Sequence, residues 1–279
     1  MATVSWDGSI DLWNLQGNHP KHFQGPNGPF GSISFTPDGQ KLAIVSRDDD
    51  KVYLCNLKSQ EKKCKASSSS NIASVSFSHN SSANLQKLAI AFTDGKVCLG
   101  NIQSLDNIGS LKNNKKNCFD VDGPGGWGEL KFSPDDQILG FASMDGRVHL
   151  WNVQGKPQKL LEHKDGQDGI KASAGPLVNF SFSPNSQMLT TVSLDGAVSL
   201  WDLQGQQLAT FRDNNQETMI LNASFIGGGQ SLATVSASGT IQFRPVENLD
   251  QLLRRGCQWL KDYLATHPDE QKKLTVCSK

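Results

Sequence analysis

One short segment returns along the chain at a nearly constant spacing, and this repetition limits the fold more than any other feature. The segment first reads DGSIDLWNL, from Asp7 to Leu15, and it has later copies such as DGRVHLWNV and DGAVSLWDL. The last aromatic position of the copies is held in turn by Trp13, Cys55, Gly100, Trp151, Trp201 and Arg244. The spacings are 42, 45, 51, 50 and 43 residues. A period of this length predicts an array of similar supersecondary units.

A second element precedes five of the six copies and predicts how each unit folds. In its first copy, Ile33 and Phe35 alternate with serines, which is the period of a β-strand. A Pro-Asp-Gly turn at residues 37–39 follows, and Asp-Gly pairs such as Asp195-Gly196 separate later apolar runs as in tight hairpins. Each unit therefore predicts a four-stranded antiparallel sheet with a polar outer strand. Such sheets bury both faces when they stack radially, so residues 1–246 predict an all-β propeller of about six blades.

The repeated segments resemble the WD-repeat family over about residues 2–246. That resemblance implies a hydrogen-bonded set inside a blade, made by a tryptophan, a serine or threonine, a histidine and an aspartate. The matching residues are Ser5, Asp7, Trp13, Ser143, Asp145, Trp151, Ser193, Asp195 and Trp201, with His163 as the histidine of one unit. The second, third and last units lack the tryptophan, and we expect their blades to depend on packing.

The first and last units are incomplete. Residues 2–5 match the second strand of a unit, and the last unit stops after its third strand near Val246. We expect a chain that is the C-terminal part of a longer WD-repeat protein or a split product of such a gene. We also expect it to self-associate through these incomplete blades, because open sheet edges and apolar blade faces favour association.

The pattern becomes helical after the last repeat. Apolar residues at helical spacing predict an amphipathic C-terminal helix over residues 247–267, followed by a polar tail over residues 268–279. The run around Trp259 resembles a C-terminal helix of large bacterial multidomain WD-repeat proteins, in which propellers accompany signalling or NTPase modules. An isolated helix of this length is marginal in water, so we expect its apolar side to dock on the last blade or on a partner.

The composition indicates which classes of partner and which cellular compartment to expect. Lys and Arg together number 27, as do Asp and Glu, so net charge offers no basis for a nucleic-acid or membrane partner. The N-terminal residues lack the pattern of a signal peptide. The six cysteines form no CxxC or CxxH pair, and we expect reduced thiols in a cytoplasmic protein, with a disulfide framework or a zinc site as the alternative.

No motif for catalysis, a cofactor or a metal emerges from the sequence, and we expect none of the three. Trp127, Glu129, Lys131 and Trp259 are the candidate partner-binding residues. Glu129 and Lys131 are the only charged residues that the inner strands bring to the central channel. The function we expect is a non-catalytic scaffold or sensor that binds other proteins as part of a larger signalling protein. The alternative is a propeller enzyme with its active site at the channel.

Overall fold

The fold is known from a computed structural model that describes most of the chain. The described residues are 2–5, 7–14, 21–26, 28–59, 64–66, 71–80, 87–101, 117–121, 128–153, 158–159, 169–173, 175–212, 219–246 and 256–267. They form six antiparallel sheets in chain order, each a meander of neighbouring strands. The prediction of an all-β propeller with six blades is therefore confirmed.

The first three sheets, called blades 1 to 3, contain eleven strands. Blade 1 consists of β1 (Ala2–Val4), β2 (Ser9–Leu12) and β3 (Lys21–Gln24). Blade 2 consists of β4 (Phe30–Phe35), β5 (Lys41–Ser46), β6 (Val52–Asn56) and β7 (Lys65–Ala66). Blade 3 consists of β8 (Ile72–Phe77), β9 (Lys87–Phe92), β10 (Lys96–Asn101) and β11 (Cys118–Asp120). In blades 2 and 3 the first strand is innermost.

Blades 4 to 6 contain the other twelve strands. Blade 4 consists of β12 (Glu129–Phe132), β13 (Ile138–Ala142), β14 (Arg147–Asn152), β15 (Gln158–Lys159) and β16 (Ile170–Lys171), and both short strands pair with β14. Blade 5 consists of β17 (Leu177–Phe182), β18 (Met188–Ser193), β19 (Val198–Asp202) and β20 (Gln207–Phe211). Blade 6 consists of β21 (Ile220–Ile226), β22 (Ser231–Ser236) and β23 (Ile241–Pro245), with a 3₁₀ turn at Gly227–Gly229.

Each blade has two faces, because successive side chains of a strand point to opposite sides of a sheet. The forward face packs on the following blade, and the rear face packs on the preceding one. In blade 2 the forward face carries Ala43, Val45, Val52 and Leu54, and the rear face carries Leu42, Ile44 and Cys55. Equivalent residues form the apolar clusters between the later blades. The core of the protein is thus a series of layers between sheets, which explains why a single repeat cannot be stable alone.

Disulfide bonds overturn the expectation of reduced thiols. Cys55 is bonded to Cys64 in blade 2, and Cys98 is bonded to Cys118 in blade 3. Cys257 is disulfide-bonded as well. Cys98 and Cys118 oppose each other directly in the register of β10 and β11. The prediction failed because this pairing depends on where the outer strand aligns, which spacing in the sequence does not reveal.

A short helical segment follows the last blade. Residues 256–259 are helical, and the helix α1 (Lys261–Thr266) continues after Leu260. Leu264 is buried, whereas Trp259 leaves 78% of its surface exposed. The predicted helix begins at residue 247, and residues 247–255 lie outside the described part of the chain. The predicted polar tail at residues 268–279 lies outside it as well.

Candidate functional site

Blade 5 contains the most complete version of the hydrogen-bonded set implied by the resemblance. The Trp201 indole Nε1 donates to the Thr191 hydroxyl at 2.9 Å. On the neighbouring turn, the Ser193 hydroxyl donates to the Asp195 carboxylate, which also accepts from the Arg212 guanidinium at 2.7 Å. These bonds, with that from Ser193 as the largest cause, lower the pKa of Asp195. The turn and the indole are therefore held by two separate groups of bonds.

Blade 4 keeps the turn but not the bond to the tryptophan. The Ser143 hydroxyl donates to Asp145 and lies 3.4 Å from His149 Nε2. Trp151 is buried and packs against the Phe119 ring, with the ring centroids 4.7 Å apart. Its indole Nε1 has no hydrogen-bond partner among the described residues. Phe141 explains this, because the register places it where blade 5 has Thr191.

Blade 1 repeats the arrangement of blade 5. The Trp13 indole donates to the Thr3 hydroxyl at 2.9 Å, and Asp7 accepts from the backbone N–H of Ser9 at 2.9 Å. The latter bond is the largest cause of the lowered pKa of Asp7. Ser5 closes this turn through its backbone, since its carbonyl accepts from Gly8 and its N–H donates to Ser9.

The two threonines that receive the indole bonds were not among the residues predicted from the sequence. Thr3 and Thr191 each precede their tryptophan by ten residues, and this spacing follows from the hairpin between the second and third strands. A search for a hydroxyl at that spacing would have found both. His163, the predicted histidine of the set, lies outside the described residues.

Serines of the inner strands are used to join neighbouring blades. The Ser74 and Ser76 hydroxyls of blade 3 accept from the backbone N–H groups of Leu130 and Phe132 in blade 4, at 3.0 and 3.3 Å. Ser34 of blade 2 accepts from the N–H of Phe77 at 3.3 Å. These bonds satisfy backbone donors that face another blade instead of a strand partner. The serines therefore have a structural use and are not a free catalytic set.

Glu129 and Lys131 lie together on one side of β12, as their spacing of two residues requires. Glu129 Oε1 is 2.7 Å from Lys131 Nζ, and Glu129 Oε2 accepts from the side chain of Asn179 and the backbone of Phe180. Lys131 Nζ donates to the Phe180 carbonyl at 2.6 Å and lies 5.4 Å from the Phe180 ring centroid. Each charge is thus engaged by its neighbour and by blade 5, so the pair joins two blades.

A cavity of about 520 Å³ lies between the inner strands of blades 2 to 5. Ile33 and Phe35 of β4 line it and leave 42% and 38% of their surfaces exposed. The equivalent side chains of blade 3, Val75 and Phe77, are buried against blade 2. The difference arises because blade 1, in the described residues, has no strand equivalent to β4 that would cover them.

The remaining candidates are separate from this cavity. Trp127 lies outside the described residues, and exposed Trp259 is the last of the helical residues 256–259. Within the described ranges, no group of three or more His, Cys, Asp or Glu side chains is placed to hold a metal ion. No helix in the same part of the chain is long and apolar enough to cross a membrane.

Comparison with known proteins agrees with the architecture. A family profile described as WD domain, G-beta repeat, matches residues 110–152 and 158–202, which contain the fourth strand of blade 3, the strands of blade 4 and the first three strands of blade 5. A search of curated proteins finds no match to the chain. Residues 110–202 therefore carry WD40 repeats, and they lie within a chain that folds as a six-bladed β-propeller.

Proposed function

We propose that this protein is a non-catalytic scaffold that binds an apolar segment of a partner protein at the channel cavity. Propellers of this family are commonly interaction scaffolds and typically non-catalytic. The observation that carries the proposal is the exposure of Ile33 and Phe35 on a strand whose counterparts in other blades are buried. Exposed apolar side chains in a concave site favour contact with a partner.

The chemistry around the two residues defines what the cavity accepts. Ile33 and Phe35 offer apolar surface, and burying the exposed part of each side chain against a partner is worth about 0.6–1.2 kcal/mol. Lys131 and Glu129 line the same cavity and are already paired with each other. A neutral, apolar segment therefore suits the site better than a charged one, because it does not compete for either charge.

Cross-linking followed by mass spectrometry in the native host tests the proposal. We expect Phe35→Asp to lose the cross-linked partners that the unchanged chain captures, because it places a charge in the apolar part of the cavity. Leu208→Asp is the matched control, since Leu208 is also apolar and exposed but lies on the outer strand of blade 5. Equal sets of partners for the two variants would refute binding at the cavity.

The alternative function is an enzyme that uses the channel, with Glu129 as its acid or base. The bonds that Glu129 receives from Lys131, Asn179 and Phe180 support a structural use of this carboxylate. We expect no turnover in broad hydrolase and lyase screens. Reproducible turnover that Glu129→Gln abolishes would establish the enzyme instead.

Three broader assignments belong to the same proposal. The C-terminal run around Trp259 supports a place in a larger signalling protein, with Trp259 as a further partner contact. The incomplete first and last blades support self-association.

A cytoplasmic location stays a prediction from the sequence, and the disulfide bonds weigh against it because such bonds persist mainly in oxidising compartments. Thiol alkylation before lysis, followed by peptide mapping, decides between reduced and oxidised cysteines in the native host.

A further inference from the structure

The forward face of blade 6 is uncovered in this structure. Ile241 and Phe243 of β23 leave 58% and 68% of their surfaces exposed. The equivalent side chains of blade 5, Val198 and Leu200, are buried against blade 6. The same sheet position thus has an apolar side chain in both blades, but only blade 5 has a following blade in contact with it. The forward face of blade 6 has the composition of a buried interface.

The rear face of blade 1 is the other uncovered end, and it resembles rear faces that are packed elsewhere. Its Trp13–Thr3 bond matches the Trp201–Thr191 bond of blade 5, and both are 2.9 Å long. Asp11 pairs with His22 at the sheet position where blade 5 pairs Ser199 with Thr210. Both pairs join side chains directly, at 3.0 Å in each case. Blade 1 therefore presents a blade interface that is already formed.

We propose that these two faces bind each other between copies of this chain, with the forward face of blade 6 in one copy against the rear face of blade 1 in the next. This proposal rests on the self-association proposed above and adds the surfaces and their polarity. Its support is continuity with the interfaces inside the chain, where apolar clusters join the forward face of each earlier blade to the blade that follows. Within one copy the two faces are not joined, since Thr3 and Phe243 are both exposed.

The size and polarity of the contact predict the kind of association. Three strands about 4.8 Å apart and five residues long give a face of roughly 240 Å². Stable complexes bury about 800 Å² on each partner, so the association is weak and depends on concentration. Because the two faces differ, the contact is heterologous, and it allows a third copy to add to a pair.

Two variants that each block one face test the proposal with the 279-residue chain. Phe243→Asp blocks the forward face of blade 6, and Thr3→Arg blocks the rear face of blade 1. Light scattering between roughly 5 and 500 µM, a range chosen for a weak interface, measures the mean mass. We expect the unchanged chain to exceed the dimer mass at the highest concentrations and each variant alone to remain monomeric. An equimolar mixture should approach twice the monomer mass and stop there, because each variant keeps one intact face.

Controls separate blocked faces from damaged folds. Thr3→Ser keeps the hydroxyl that receives the Trp13 bond and should associate like the unchanged chain, as should Leu208→Asp. Ile241→Asp replaces Phe243→Asp if circular dichroism shows that the latter is unfolded. If Thr3→Arg alone forms dimers, two forward faces meet and the proposed polarity is wrong.

Two further outcomes distinguish this proposal from self-association in general and from partner binding at the channel cavity. If the mixture stays monomeric while the unchanged chain associates, the proposed contact between these two faces is wrong, but the chain still self-associates through another surface. An unchanged chain that is monomeric throughout refutes both. Neither result affects binding at the channel cavity, because the cavity is lined by residues of blades 2 to 5.

Discussion

Replacing tryptophan by phenylalanine should lower the free energy of unfolding by very different amounts in blades 4 and 5. Trp151 and Trp201 occupy equivalent, buried positions, so both substitutions remove a similar part of the indole ring. Trp201→Phe also removes the hydrogen bond to Thr191, which is worth about 1 kcal/mol. Trp151→Phe instead removes a buried N–H that has no partner among the described residues, and such a group costs about 1–3 kcal/mol.

The difference between the two substitutions is therefore the informative quantity. The loss of volume is common to both and cancels, which leaves Trp201→Phe more destabilising than Trp151→Phe by about 2–4 kcal/mol. Urea unfolding of both variants, followed by circular dichroism, measures this difference. A double-mutant cycle with Thr191→Val should return a coupling of about 1 kcal/mol for the Trp201 bond alone.

Three results of the unfolding measurements would contradict this prediction. Equal costs for the two substitutions, within about 0.5 kcal/mol, would show that the indole N–H contributes nothing in either blade. A coupling near zero between Trp201 and Thr191 would show that their contact is not a stabilising bond. A larger cost for Trp151→Phe would mean that packing against Phe119 outweighs the unpaired N–H.

Three other predictions concern single features of the blades. Removing the Cys98–Cys118 bond, which spans a sequence separation of 20, by Cys98→Ala/Cys118→Ala should lower stability by about 3 kcal/mol in urea titrations without reductant, and reductant should then lower the stability of this variant less than that of the unchanged chain. The lowered pKa of Asp195 means that its carboxylate stabilises the fold above the ordinary value of 3.8, and this contribution disappears as the pH falls through the folded pKa, so Asp195→Asn should lower the melting temperature at pH 7 and have a decreasing effect as the pH falls below 3.8. Gly146→Ala should be more destabilising than Gly239→Ala in thermal melts, since both residues have positive φ but only at Gly146 would the new Cβ lie within 2.5 Å of backbone carbonyl oxygens.

The arrangement of strands within a blade could be predicted from the sequence. The alternation around Ile33 and the turn at Asp195-Gly196 depend on neighbouring residues, because strand period and tight turns are local properties of the backbone. The near-constant spacing of the repeats then predicted six similar sheets. Even the three-stranded first and last blades follow from the residues that precede Trp13 and follow Arg244.

The contacts between strands and blades could be predicted only in part. The Trp201–Thr191 bond could have been predicted from the sequence, because the register of one hairpin relates the two positions directly. The Cys98–Cys118 bond was not, because the outer strand β11 follows a long connection whose length does not determine its register. The spacing of Glu129 and Lys131 places both on one side of a strand, but their bonds to Asn179 and Phe180 required the position of blade 5.

The sequence by itself determined that Val198, Leu200, Ile241 and Phe243 all belong to apolar strand positions of one repeat. Only the tertiary structure decided that the first pair is buried and the second is exposed. The physical reason is that burial belongs to the contact between two blades, whereas the repeat pattern describes one blade at a time. Among the described residues, the last blade has the same forward face as its predecessors but no following blade against it, and the exposed surface of Ile241 and Phe243 arises from that difference.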